Sequence, residues 1–84
     1  MYTVLILCRS ATLAQRTVRQ LASMDCPAAI VRPPLQLTES GCSYAVSVSG
    51  RFRPVLEQLA HTTGFACTGK LYRVIGDNYE PLSL

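Results

Sequence analysis

The chain has 84 residues, 49% of them hydrophobic and 15% charged. That length holds one small domain, and the apolar balance excludes intrinsic disorder. Eight Lys and Arg against five Asp and Glu give a net charge of +3, which favours weak attraction to anions. The basic residues are all Arg except Lys70 and are scattered along the chain. A dispersed excess is not the basic stripe of a dedicated nucleic-acid binder.

The longest stretch without a charged residue, Gln58 to Gly69, is far shorter than the roughly 18 apolar residues a membrane span requires. Tyr2 to Cys8 has no basic segment before it and no cleavage site after it, so it reads as a strand and not as a secretory core. Cys8, Cys26, Cys42 and Cys67 are widely spaced, with no CxxC pair. Reduced thiols in the cytoplasm are therefore expected in place of a disulfide framework, and no structural metal site is expected.

In chain order, the β-branched apolar run Tyr2–Cys8 predicts a central strand. Thr12 and Gln15 stand at capping-box spacing, and Ala14, Val18, Leu21 and Ala22 recur at helical intervals. A helix is expected from about Thr12 to Met24, stopped by Asp25-Cys26-Pro27. Ala28–Arg32 predicts a short strand, ended by Pro33-Pro34, and residues 33–41 a polar loop. Cys42 to Ser49 alternates, with Cys42, Tyr44, Val46 and Val48 on one face and Ser43, Ala45, Ser47 and Ser49 on the other. Gly50 leads into a second helix with Phe52, Val55, Leu56, Leu59 and Ala60 as its apolar stripe, closed by Gly64. Phe65–Ile75 predicts the last strand, with a bulge at Gly69. The domain spans residues 1–76, and residues 77–84 read as a loosely ordered tail.

This β-α-β-β-α-β order predicts a ferredoxin-like α+β sandwich: a four-stranded antiparallel sheet with two helices on one face. Val18, Leu21, Leu56 and Leu59 are expected to pack on Val4, Ile6, Val46 and Val48. In that topology the first and third strands are antiparallel neighbours. Cys8, Arg9 and the helix start at Ser10–Thr12 then share one edge with Gly41 and Cys42.

Cys42 is the candidate reactive residue. Arg9, a nearby Arg32 and the amides at Ser10 and Thr12 would favour its thiolate, the form that accepts or passes on sulfur. The bland alternative is a small apolar residue at a strand end. Cys8 is expected to pack in the core, with a role as partner thiol left open. Ser10 and Thr12 also serve as plain helix caps. Glu57 and His61, four apart, read as a solvated helical pair with no nucleophile beside them. There is no Gly-rich phosphate loop, paired-carboxylate motif or nucleophile elbow.

The same element order occurs in RNA-recognition modules, which stack bases on aromatics of the open sheet face. Ser43, Ala45 and Ser47 on that face argue against nucleic acid. A flat, small-residue face instead suits docking of another sheet or domain. An interaction or regulatory module, a homodimer through the open face included, is thus the rival to a chemical role for Cys42.

The apolar first strand, Ser10 and Thr12 at a helix start, Val31-Arg-Pro-Pro34, a polar loop, Cys42 and the closing Leu71-Tyr-Arg-Val74 occur in that order. Together they resemble the small selenium/sulfur carrier protein-like domains, over about Tyr2 to Val74. Ser43 and Leu35 stand where that family tends to place Gly and Arg. The resemblance implies a ferredoxin-like fold and a cysteine, matched by Cys42, that carries sulfur or selenium as a persulfide or bound selenide. It implies partner proteins that donate and accept the atom. The loop Thr38, Glu39, Ser40 and Gly41 would open to admit them. No metal or organic cofactor is expected, because the sulfur–sulfur bond is already activated for exchange.

Overall fold

The computed structural model describes residues 2–37, 44–60 and 71–82. Within them the chain forms β1 (Thr3–Cys8), α1 (Ala11–Ala22), β2 (Ala28–Val31) and β3 (Tyr44–Ser49). α2 (Arg53–Ala60), β4 (Leu71–Ile75) and β5 (Asn78–Leu82) follow. The five strands make one sheet in the order β2-β3-β1-β4-β5, and every neighbouring pair is antiparallel. The protein is an α+β domain whose central strand is its first.

Alternation fixes which residues meet. Thr3 pairs with Ser49 and Cys8 with Tyr44 across β1–β3, so Val4, Ile6, Val46 and Val48 share a face. Ala14 and Leu21 of α1 and Leu56 and Leu59 of α2 close over that face, with Val18 packed at its margin. The helix packing expected from the apolar spacing is the packing observed. α1 rests on β2 and β3.

Three features differ from the expectation. The sheet has five strands and not four: residues 78–82, read as tail, fold back on β4 through a two-residue turn at Gly76-Asp77. Gly76 has φ +58, the conformation a type II′ hairpin turn reserves for glycine at its first central position. α1 begins at Ala11, because Ser10 is its N-cap and accepts from the Leu13 amide at 3.2 Å. Thr12 is therefore an exposed first-turn residue and not the cap.

The third difference is the second sheet face. It carries Leu5, Leu7 and Ala45, joined by Tyr72, Val74 and Tyr79, and Leu37 from a short 3-10 turn (Leu35–Leu37) packs on it. Leu7 and Ala45 are completely buried there. The face is a second small core and not a flat stretch of serine and alanine. β1 is thus buried on both sides, which accounts for its unbroken apolar run.

The predicted Gly69 bulge, the end of the second helix near Gly64 and the residues before Leu71 lie outside the described residues. No described helix is long and apolar enough to cross a membrane.

Candidate functional site

One end of the sheet gathers the described candidate residues. β1 ends at Cys8, opposite Tyr44, the first residue of β3. β2 reaches the same end, since Val31 pairs with Ala45 and Ala45 with Leu7. Arg9 follows β1 and Arg32 follows β2, and both are exposed. Neighbouring strands lie about 4.8 Å apart, so the two guanidinium-bearing positions flank the entry to β3 from either side. Neither makes an ion pair with a described residue; the described pairs are Arg53–Glu57 and Arg73–Glu80.

The N-terminus of α1 opens at this same end. Ser10 has extended backbone, φ −141 and ψ 159, and its side chain takes up the Leu13 amide. Its carbonyl accepts the Ala14 amide at 3.1 Å. The cap leaves the amides of Ala11 and Thr12 as the outward donors of the first turn. Among the described residues this end of the sheet carries two arginines and one helix N-terminus, and no acidic residue lies in the first turn of α1.

Cys8 is 1% exposed, and its thiol donates to the Ile6 carbonyl at 3.7 Å within the helix-side core. Its position is that of a packing residue. Cys26 is wholly buried in the same core, and burial pushes its thiol pKa up. Both thiols are shielded from reagents in solution.

Cys42 and the loop Thr38, Glu39, Ser40 and Gly41 lie outside the described residues, as do Ser43, His61 and Cys67. Cys42 stands two residues ahead of Tyr44 in the chain. Glu57, the other half of the proposed helical pair, accepts from Arg53 Nε at 3.2 Å. Its carboxylate is engaged in an exposed i,i+4 ion pair. Among the described residues no three His, Cys, Asp or Glu cluster in a way that would hold a metal ion.

The residues sequence reasoning missed are those of the second face. Leu5 and Leu7 alternate with Val4, Ile6 and Cys8. Strong apolar residues on both parities were the available signal that both faces are covered. Tyr72 pairs with Leu5 and Val74 with Thr3, so the aromatic side of β4 continues the same surface.

Comparison with known proteins gives no match to this chain among protein-family models, curated proteins or solved structures.

Proposed function

We propose that this domain is a ferredoxin-like sulfur or selenium carrier in which Cys42 holds the transferred atom. The observation that carries the reading is the convergence of Arg9, Arg32 and the α1 N-terminus at the end of the sheet where β3 begins. Positive charge and oriented amides favour a thiolate over a thiol, and the thiolate is the attacking species in exchange. The strand order 2-3-1-4 within the sheet supports the ferredoxin-like reading, with β5 as an addition at one edge.

In the proposed reaction the Cys42 thiolate attacks the terminal sulfur of a donor persulfide. The new Cys42–sulfur bond forms as the donor S–S bond breaks, and the electron pair leaves on the donor thiolate. The proton of the terminal SH stays with the transferred sulfur or is lost to solvent. An acceptor nucleophile then takes that sulfur and returns Cys42 as thiolate. A perselenide donor delivers selenium by the same displacement, with no external oxidant. Arg9 and the α1 amides stabilise the anionic forms, and no metal or organic cofactor enters the balance.

Intact-protein mass spectrometry after treatment with a small-molecule persulfide tests the reading. Wild type gains the mass of one sulfur and Cys42→Ser does not. Equal loading of Cys42→Ser, or alkylation of Cys42 no faster than of Cys67, overturns it.

A second reading is an interaction module with no carried atom. The half-buried Tyr72, Val74 and Tyr79 beside Leu5 favour it, since they form an apolar surface on the side away from the helices. Such a module, a homodimer through this face included, does not require a reactive Cys42. The alkylation rate therefore separates the two.

A further inference from the structure

The two edges of the sheet are built differently. β5 carries Glu80 and Pro81 on its short edge. Pro81 faces Tyr72, three pairs beyond the Ile75–Asn78 pair that closes a two-residue hairpin and separated from it by the non-bonded Val74–Tyr79 and bonded Arg73–Glu80 positions. Its missing N–H is thus one that would have pointed outward, and the edge loses a donor without losing a ladder bond. Charge and proline are the usual devices that keep a sheet edge from pairing with another chain.

β2, at the opposite edge, has neither. Its residues are Ala28, Ala29, Ile30 and Val31, with Ile30 43% and Val31 36% exposed. Among the described residues no strand pairs with its outer side. Proline brackets it at Pro27 and at Pro33-Pro34. The described charge around it is mostly basic: Arg32 ends the strand, and Arg16 and Arg19 are exposed on α1, which rests on it. Asp25 is the one acidic residue between α1 and β2.

We infer that β2 is a strand-addition site for an extended acidic segment of a partner protein. Main-chain hydrogen bonds to the free side of β2 supply the affinity, and the arginines select the charge. A second copy of the chain fits less well. Four shared residues make a seam only about 13 Å long, too short by itself to bury the roughly 1,000 Å² of a stable interface. An extended segment escapes this limit because it continues beyond the strand along the Arg32 end. Arg32 belongs also to the charged end of the sheet described above, whereas the pairing residues 28–31 do not.

Titration of the full chain with a synthetic peptide of alternating Glu and Val, followed by amide NMR shifts, tests the inference. Shifts concentrate at residues 28–32, and the matching Lys–Val peptide binds at least about tenfold more weakly at low salt. Arg16→Glu with Arg32→Glu, both at exposed positions, weakens the acidic peptide about fivefold to tenfold. Cys42→Ser leaves binding unchanged, which keeps this result independent of the carrier reading. Equal binding of the two peptides, shifts centred on Leu5, Tyr72 and Tyr79, or no binding up to the solubility limit overturns the inference. So does protection of β2 amides that rises with protein concentration without peptide, because the occupant is then a second copy.

Discussion

The amide of Gly50 donates to the carbonyl of Tyr2 at 2.8 Å, and the Tyr2 ring lies where a Gly50 side chain would project. A Cβ built on Gly50 would sit 2.7 Å from both the Tyr2 carbonyl oxygen and a ring carbon. The ring is held from its other neighbour as well, since the Arg73 guanidinium lies 5.6 Å from its centroid. This close approach ties the start of β1 to the end of β3.

Gly50→Ala must therefore push Tyr2 aside or break the bond. We expect a loss of about 1–3 kcal/mol, the usual range for overpacking a filled site. Urea unfolding of the variant measures it; an unchanged midpoint would show that Tyr2 moves freely.

The helix cap makes a paired prediction. Ser10→Ala removes the oxygen that takes up the Leu13 amide and should cost about 1 kcal/mol. Thr12→Ala, at an exposed first-turn position, should change stability by less than about 0.5 kcal/mol. The reverse order of effects would restore Thr12 as the cap.

Asp25 turns the chain from α1 into β2 with φ 57, a left-handed conformation. Just behind it the Cys26 amide returns to the Leu21 carbonyl at 2.9 Å, closing the helix end. Aspartate tolerates this region, glycine adopts it freely, and a β-branched residue does not. Asp25→Val should lose about 1–2 kcal/mol in thermal or urea unfolding, while Asp25→Gly should match or exceed the wild type. Equal stability of the Val and Gly variants would contradict the left-handed turn.

Cys26 gives the expected alkaline behaviour. Its thiol is buried and its pKa is raised above the ordinary value of 9.0 by desolvation. In the unfolded chain the proton leaves first, so above that pH the unfolded state binds fewer protons than the native one. The stabilising contribution is full below about pH 9 and is lost as pH climbs through the raised native pKa. Melting temperatures across the alkaline range should fall more steeply for wild type than for Cys26→Ala. Parallel curves would mean that Cys26 ionises in place.

Much of this molecule was readable from its residues. The alternation of Tyr44 to Ser49 and the spacing of Ala14, Val18 and Leu21 gave correct faces, although Ala22 of the expected stripe is exposed, and Val4, Ile6, Leu21 and Leu56 met as predicted. β5 escaped notice because Asn78-Tyr-Glu-Pro-Leu82 has neither β-branched residues nor clear alternation. Its hydrogen bonds come from a neighbour already in place, and Gly76-Asp77 was the one local hairpin signal. Thr12 lost the cap to Ser10 because a single hydroxyl at the right distance decides where the first turn starts. Leu37 could not be assigned to the second face, since a three-residue turn after two prolines has no period to read. For the site, topology brought Arg9, Ser10 and Tyr44 to one end. Cys42 itself lies outside the described residues.

β1 pairs with β3 on one side and with β4 on the other, so Thr3 meets both Ser49 and Val74. The strand that leaves the ribosome before its partners is thus the one that all of them need. Both of its edges stay unpaired until β3 and β4, at residues 44–49 and 71–75, have been made. Folding governed by such distant pairings is slow, and an incomplete chain offers two sticky edges at once. Truncation anywhere before β4 should therefore yield an aggregating fragment and not a smaller stable domain.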